Sequence, residues 1–429
     1  MIKIVKTDGK TEKDFLMSLK ARSSEVDKKV TAIVGDIIDN VKQRGDAAVL
    51  EYTEKFDGKL PLYYEVPTSV VDEAVSQCDD ALIQSLTKAA NNIADFHKRQ
   101  VQQSFMDAKQ DGSVLGQTVR GLQRVGIYVP GGTAAYPSSV LMNAIPAKIA
   151  GVEEIVMVTP PLKDGTPNKN ILAAAKIAGV DKIFMCGGAQ AVAALAYGTE
   201  KMPKVDKIVG PGNIFVATAK RMLYGVVDID MIAGPSEILI IADSTANPKF
   251  LAADLMSQAE HDMLASAILI TTDEKLAQQT NEQLKIQSAK LSRCDIIKKS
   301  LEDYGAVVVC NNMDEAVELA NELAPEHLEV CADNPMQYLN RLKNAGSIFL
   351  GNNSPEPLGD YFAGPNHVLP TGGTSRFFSP LSVDSFIKKT QFIYYSEKAL
   401  QRDAEDIIRL ANTEGLTAHA NSIIVRTED

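Results

Sequence analysis

Short apolar runs rich in β-branched residues alternate with segments of helical periodicity from residue 124 to residue 350. This alternation predicts parallel strands joined by crossover helices, in two successive blocks. The strands it predicts are Ile155–Val158, Lys182–Met185, Lys207–Val209, Ile238–Ile241, Ala267–Thr271, Ala306–Val309, Leu328–Val330 and Ser347–Leu350. The helices it predicts in the first block are Ser139–Ala150, Ile171–Ala178, Gln190–Tyr197 and Ile214–Tyr224. We therefore predict an α/β fold with two Rossmann-like parallel-sheet units and a ligand cleft between them.

The regions on either side of these blocks have different patterns. The N-terminal quarter is mostly helical in pattern, with apolar residues at three- and four-residue spacing from Glu25 to Gly45 and from Val70 to Lys98. Gly351 to Pro380 is long, irregular and rich in glycine and proline, which is typical of a functional loop. The C-terminal pattern predicts a helix from Glu397 to Arg409 and a short strand at Ser422–Val425.

These shifts in pattern predict four regions. They are an N-terminal arm (1–24), a first α/β domain with a helical N-terminal part (25–123 and 237–381), a second α/β domain (124–236) and a small C-terminal tail domain (382–429). Because the tail is short and separate, it must dock on another surface to be ordered.

Composition narrows the class of partner. Hydrophobic residues make up 45% of the chain and the net charge is −11, which argues against nucleic acid or an anionic membrane as a partner and favours small molecules. No apolar run approaches the length of a membrane helix, and the N-terminus lacks the apolar region of a signal peptide, so we expect a cytoplasmic protein. The five cysteines are widely spaced without a Cys-x-x-Cys pair, which predicts neither a disulfide framework nor a thiolate zinc site.

A predicted helix opening at Asn247-Pro248 carries Gln258 and, one turn further, His261. Asparagine followed by proline is a typical helix start, and residues three apart lie on one helix face. Two metal-competent side chains in the last turn favour cation binding. The alternative is a buried His261 hydrogen-bonded to a neighbouring carboxylate.

Four of the five histidines follow residue 260. They are His261, His327, His367 and His419. A site that combined Gln258, His261, a carboxylate and His419 would offer mixed nitrogen and oxygen ligands, which suit Zn²⁺, Mn²⁺ or Co²⁺. The fifth histidine, His97, lies in a charged segment and is predicted to be exposed to solvent.

Glu326 and His327 stand side by side at the entrance to a predicted strand. In a cleft they would supply a base and a second proton carrier, whereas the alternative is an exposed glutamate beside a strand-end histidine. Two glycine-containing turns each precede a predicted helix: Gly210-Pro211-Gly212-Asn213 and Gly187-Gly188-Ala189-Gln190. Free backbone N–H groups at such a turn could bind a phosphate. The alternative is that the glycines only allow close packing. Cys186 has no neighbouring base, which favours an inert buried thiol over a nucleophile.

Six motifs together resemble the histidinol dehydrogenase family. They are Val129-Pro130-Gly131-Gly132, Ile208-Val209-Gly210-Pro211-Gly212-Asn213, Ile232-Ala233-Gly234-Pro235-Ser236-Glu237, Gln258-Ala259-Glu260-His261, Ala324-Pro325-Glu326-His327-Leu328 and Gly364-Pro365-Asn366-His367-Val368-Leu369-Pro370-Thr371. The resemblance runs from about residue 25 to the end of the chain.

The resemblance implies a zinc enzyme that oxidises L-histidinol to L-histidine with two NAD⁺, at the end of histidine biosynthesis. The implied zinc ligands are Gln258, His261, Asp360 and His419. The implied substrate contacts include these ligands together with Ser236, His327, His367 and Glu414. The implied NAD⁺ contacts are Tyr128, Gln190 and Asn213, which makes 124–236 the NAD-binding domain.

The resemblance also implies a homodimer in which the tail of one subunit completes the site of the other. For the chemistry we hypothesise that His327 takes the alcohol proton and that Glu326 activates water for the second oxidation. Two alternatives remain at this point. One is a zinc metallohydrolase in which Glu326 activates a metal-bound water, and the other is a non-enzymatic protein that binds a small molecule on the same scaffold.

Overall fold

The computed structural model describes residues 2–12, 14–15, 18, 28–131 and 136–428 of the chain. The strands in chain order are β1 Lys3–Lys6, β2 Phe105–Ala108, β3 Val114–Gly121, β4 Arg124–Tyr128, β5 Glu154–Thr159, β6 Lys182–Met185, β7 Lys207–Val209, β8 Asp228–Ile229, β9 Glu237–Ala242, β10 Ser266–Thr271, β11 Gly305–Val309, β12 His327–Cys331, β13 Ser347–Leu350 and β14 Ile387–Tyr394. The α-helices are α1 Lys28–Arg44, α2 Asp46–Asp57, α3 Thr68–Ser76, α4 Asp80–His97, α5 Pro137–Ile149, α6 Lys169–Ala178, α7 Gly188–Tyr197, α8 Ile214–Leu223, α9 Pro248–Ala259, α10 Glu274–Ser288, α11 Cys294–Tyr304, α12 Met313–Leu323, α13 Glu356–Tyr361, α14 Glu397–Thr413 and α15 Thr417–Thr427.

The first parallel unit is a five-stranded sheet in the order β6-β5-β4-β7-β8. Alternate residues of β4 enter two different cores, because successive side chains of a strand point to opposite faces. Val125 and Ile127 pack with α5 and α6, whereas Tyr128 packs with α7 and α8. Helices on both faces explain why these strands are nearly continuous apolar runs in the sequence.

The second parallel unit is a six-stranded sheet in the order β1-β11-β10-β9-β12-β13. Its inner strands are buried on both faces, with α9, α10 and α11 on one side and α12 on the other. The predicted α/β fold with two parallel-sheet units is thereby confirmed. The N-terminal strand β1, which pairs with β11, was not predicted, because a four-residue edge strand with lysines at both ends has little apolar pattern.

A small antiparallel sheet in the order β14-β3-β2 was also not predicted. Gln110, Asp111 and Gly112 form the turn between β2 and β3. β14 pairs with β3 along its whole length, from Ile387 opposite Gly121 to Tyr394 opposite Val114. The start of the tail is therefore attached to its own chain by backbone hydrogen bonds.

The N-terminal helices pack on the five-stranded unit. α1 contacts α7 and α8, α3 contacts α6, and α4 contacts α5. The sequence interpretation grouped 25–123 with 237–381, whereas the described helices share their cores with 124–236. The start of the helix expected from Glu25 and much of the 1–24 arm lie outside the described residues. The division of the chain into domains stays a prediction.

The predicted strand at Ser422–Val425 is wrong, since these residues lie in helix α15. A run of β-branched residues favours a strand only where a neighbouring strand can pair with it. Here α15 packs against α14 as a helical hairpin, so its backbone hydrogen bonds are satisfied within the helix. No helix in the described part of the chain has the length and apolar character needed to cross a membrane.

Candidate active site

Three side chains that can bind a cation meet at the amino edge of the six-stranded sheet. His327 is the first residue of β12, and Glu356 and Asp360 lie one turn apart on one face of α13. One ligand atom from each residue lies within 4.8 Å of those of the other two. His327 Nε2 is 3.9 Å from Glu356 Oε1 and 3.7 Å from Asp360 Oδ1. We call these three residues the acidic cluster.

Several polar atoms at this edge are buried without a hydrogen-bond partner among the described residues. They are His327 Nε2, Glu356 Oε1, and both Oε1 and Nε2 of Gln258. Leaving a buried polar atom unpaired costs about 1–3 kcal/mol, so such a group indicates a site whose partner is a ligand. The donor set is imidazole nitrogen with carboxylate and amide oxygen, which fits a divalent cation such as Zn²⁺.

Opposing effects set the charges in the acidic cluster. Burial acts to lower the pKa of His327, but the carboxylates of Glu326, Asp360 and Glu356 raise it to about 10. Burial acts to raise the pKa of Asp360, but the nearby imidazoles of His327 and His367 hold it below its usual range. Burial and the charge of Asp360 raise the pKa of Glu356 to about 8.

Glu326 and His327 belong to one buried site. The Glu237 backbone N–H donates to Glu326 Oε2 at 2.8 Å, and His327 Nδ1 donates to the Glu237 carbonyl at 3.0 Å. His327 Nδ1 is 3.7 Å from Glu326 Oε2. Burial raises the pKa of Glu326 to about 8. The exposed-glutamate alternative is therefore wrong, and the start of β9 orients both side chains.

Glu356 and two further acids were not identified from the sequence. Glu329 accepts from the Glu356 backbone N–H at 2.8 Å, and burial together with the nearby Asp254 raises its pKa well above the usual value. Ser257 donates to Glu356 Oε2 at 2.9 Å and so ties α9 to α13. The spacing Glu356-x-x-x-Asp360 after a proline was a signal for two carboxylates on one helix face.

Close packing fixes the position of α13. A Cβ atom on Gly359 would stand 2.6 Å from a ring atom of Phe349 on β13. Only glycine allows this approach, which seats Glu356 and Asp360 beside His327.

The other predicted metal and substrate residues lie partly near the amino edge of the six-stranded sheet and partly in the C-terminal tail. α9 ends at Ala259, so Gln258 lies in its last turn and His261 lies in the turn that follows, rather than within the helix. Burial lowers the pKa of His261, while the charge of Asp360 opposes this shift. The Nδ1 atom of His367 donates to the Asp360 carbonyl at 2.9 Å.

Ser236 directly precedes β9 at this edge, and its carbonyl accepts from Ser266 N–H. Glu414 and His419 are exposed, at the end of α14 and on α15. Within the described residues, the cation-competent group does not include His419. The full ligand and substrate sets stay predictions.

The three predicted cofactor residues line one cavity of about 700 Å³ at the carboxyl edge of the five-stranded sheet. The Tyr128 hydroxyl accepts from Gly188 N–H at 3.0 Å. The Gln190 Oε1 atom is buried without a protein partner in the described chain, and Asn213 Oδ1 caps α8. The opposite wall comes from α1 and α2 and includes Asp57. The size and place of the cavity suit a nucleotide, although Gly132 of the neighbouring motif lies outside the described residues.

A buried ion pair shapes the loop that begins at Gly210. Lys220 and Asp230 form this pair, with side chains only 4% and 1% exposed. Asp230 Oδ2 accepts from Gly210 N–H at 2.8 Å, and Lys220 Nζ donates to the Gly210 carbonyl at 3.0 Å. Gly210 has a φ of +109°, and a Cβ there would lie 2.1 Å from the Tyr128 carbonyl oxygen. The Lys220–Asp230 pair therefore hydrogen-bonds both the N–H and the carbonyl of Gly210, a position where only glycine fits.

The prediction that His97 is exposed is wrong, because its side chain is fully buried. Its Nδ1 donates to the Ile93 carbonyl at 2.8 Å, and its Nε2 lies 3.4 Å from Asn366 Nδ2. Burial lowers its pKa, which favours the neutral ring. Cys186 is also buried, and burial raises the pKa of its thiol, in agreement with the inert interpretation.

The fold and its two sites define an α/β enzyme in which a nucleotide-sized cavity on one sheet accompanies a buried, cation-competent cluster on the other. A sequence model of the histidinol dehydrogenase family matches residues 20–427. Histidinol dehydrogenase of Clostridium acetobutylicum is 57% identical over 426 residues, covering 99% of each chain. The Listeria innocua enzyme is 54% identical over 426 residues, covering 99% of this chain and 100% of that one. The crystal structure of histidinol dehydrogenase from Elizabethkingia anophelis is 38% identical, with a TM-score of 0.93 over 99% of this chain and 98% of that one.

The chain belongs to the histidinol dehydrogenase family. It is an oxidoreductase of histidine biosynthesis that acts on histidinol. This membership sets aside the hydrolase and the non-enzymatic binding protein, and it agrees with the resemblance carried by the six motifs.

Proposed function

We propose that this chain converts L-histidinol to L-histidine through histidinaldehyde, with Zn²⁺ as its metal and two NAD⁺ as hydride acceptors. The observation that carries the proposal is the acidic cluster, in which His327 Nε2 and Glu356 Oε1 are buried without protein partners beside Asp360 in the described chain. A buried donor set of this kind needs a cation or a cationic substrate to satisfy it.

The residues that would hold the metal are Gln258, His261 and Asp360, with His419 of the partner subunit. When bound, Zn²⁺ would supply a fixed positive charge that anchors the imidazole and amine nitrogens of the substrate. His327 and Glu356 lie against Asp360 and would border this position. Ser236, His367 and Glu414 would complete the contacts to the substrate.

Two neighbouring side chains would carry the protons. In the first oxidation His327, whose neutral ring a bound cation would favour, would take the hydroxyl proton of histidinol as the carbinol carbon loses its hydride, which leaves the aldehyde. In the second, Glu326 takes a proton from water as the oxygen attacks the aldehyde carbon. The hydrated aldehyde then gives its hydride to another NAD⁺ and a proton to the site, which leaves the carboxylate of histidine.

The cavity lined by Tyr128, Gln190 and Asn213 would hold NAD⁺. The free Gln190 oxygen and the capped start of α8 suit a polar ligand with phosphates near a helix N-terminus. Its position at the carboxyl edge of a parallel sheet is the usual one for a dinucleotide.

We propose further that the enzyme is a cytoplasmic homodimer in which each tail reaches the site of the other subunit. Large apolar side chains are exposed on β14 and the tail helices, with Ile393 at 76%, Leu410 at 68% and Val425 at 55%. Exposed apolar groups concentrated on one short segment support its burial against a partner.

The test follows NADH absorbance when L-histidinol is added to the purified enzyme. We expect two NADH per histidinol, loss of activity after a chelator, and recovery with Zn²⁺. The variant His261→Asn should lose bound zinc, measured by elemental analysis, together with activity. Histidinol turnover without NADH would contradict the cofactor, and full zinc and activity in the variant would remove His261 from the ligand set.

A further inference from the structure

The cofactor cavity contains one acidic group that the proposed NAD⁺ contacts do not use. Asp57, the last residue of α2, lines the cavity opposite the sheet. Its Oδ2 atom is buried and has no hydrogen-bond partner within the described residues. A carboxylate oxygen in this state needs a donor, and the cavity is where a ligand would bring one.

The usual position for such an acid is vacant in this sheet. In dinucleotide-binding sheets an acidic residue after the second strand accepts from the ribose 2′-hydroxyl. Here β5, the strand that follows β4 and α5, ends at Thr159, and Pro160 and Pro161 come next. Neither proline has a side chain that can accept a hydrogen bond. Helix α2, which lies outside the sheet, brings a carboxylate to the same cavity.

We propose that Asp57 accepts hydrogen bonds from the ribose hydroxyls of the adenosine half of the dinucleotide and makes the site reject a 2′-phosphate. This inference rests on the proposed use of NAD⁺. A 2′-phosphate would lack the hydroxyl that donates to Asp57. It would also bring its negative charge close to the Asp57 carboxylate in a partly desolvated cavity, where the two would repel each other. Asp57 would thus determine the choice of NAD⁺ over NADP⁺.

The surrounding charges support this assignment. Lys55 also lines the cavity, and its Nζ lies over the rings of Tyr52 and Phe56, 6.0 Å and 5.6 Å from their centroids. Asp36 adds a second carboxylate to the lining. Burial raises the pKa of Asp57 to about 6, so the carboxylate is still mostly charged at neutral pH.

The test compares Asp57→Asn with the wild type, because asparagine keeps the shape and removes the charge. Steady-state rates with histidinol give kcat/KM for NAD⁺ and for NADP⁺. We expect the preference for NAD⁺ to fall by at least about tenfold, through a higher KM for NAD⁺ and a lower KM for NADP⁺. Asp39→Asn, on α1 and outside the cavity lining, is the matched control, and its preference should stay within about twofold of the wild type.

The possible failures are distinct. If the wild type reduces neither dinucleotide with histidinol, the proposed function fails. If the wild type reduces NAD⁺ and Asp57→Asn keeps the wild-type preference, the function stands and this inference is overturned. An equal rise in KM for both dinucleotides also overturns it, because the contact would then lie away from the adenosine ribose. Equal thermal midpoints of variant and wild type exclude a folding defect.

Discussion

Replacing Lys220 by methionine should strongly destabilise the five-stranded unit. Methionine has a similar length and no charge, so the substitution removes the ammonium without opening a large cavity. Asp230 would remain as a buried carboxylate whose side chain is 1% exposed. Backbone N–H groups of Gly210 and Met231 would still donate to it at 2.8 and 2.6 Å, but no cation would balance its charge.

Breaking one side of a buried ion pair costs about 3–5 kcal/mol, because the other charge is left uncompensated. The hydrogen bond from Lys220 to the Gly210 carbonyl is lost as well. The control is Lys6→Met, which breaks a 2.8 Å pair with Glu274 whose side chains are 65% and 52% exposed. An exposed pair contributes only about 0–1 kcal/mol.

The assay is urea unfolding of both variants and the wild type at the same pH, with the change in midpoint multiplied by a common slope. Because the pair shapes the loop at the cofactor cavity, Lys220→Met should also raise KM for NAD⁺ more than it lowers kcat. If Lys220→Met costs no more free energy of unfolding than Lys6→Met, the buried ion pair does not hold this loop in place.

The remaining predictions concern the catalytic pair and a buried histidine. Glu326→Gln should slow oxidation of histidinaldehyde more than oxidation of histidinol, as single-turnover rates of each step would measure, and equal losses would contradict the division of roles. His97→Gln addresses pH: burial lowers the pKa of folded His97 below the ordinary 6.5, so the unfolded state takes up this proton at a higher pH than the folded state does. The wild type should therefore be more stable than His97→Gln by a smaller margin at pH 5.5 than at pH 7.5, as the free energies of unfolding at the two pH values would show. A difference that does not change with pH would contradict a buried neutral ring.

The parallel strands could be predicted because burial on both faces gives a signal that needs no knowledge of the partner strand. Lys182–Met185, Lys207–Val209 and Ser347–Leu350 have the predicted bounds. β3 and β14 gave no such signal, because they are largely exposed and pair across more than 260 positions of sequence. Pairing at that distance is decided by tertiary structure and leaves no local pattern.

The candidate site divides in the same way. Short sequence motifs pointed to Glu326 and His327 and to Gln258 and His261. Identifying Glu356, in contrast, required knowledge of which short helix lies against β12 and β13. His97 was misjudged from its charged neighbours, yet it continues the buried stripe of α4 at Ile93, four positions earlier. Helical periodicity was the better guide there.

The loop that carries Asn366 and His367 connects the two parallel-sheet units. The Asn366 amide donates to the Met142 carbonyl on α5 at 2.6 Å, while the adjacent imidazole reaches the carbonyl of Asp360. Adjacent residues of this loop thus bind elements of both parallel-sheet units. A displacement of α5 would therefore be transmitted through Asn366 and His367 to the backbone of Asp360.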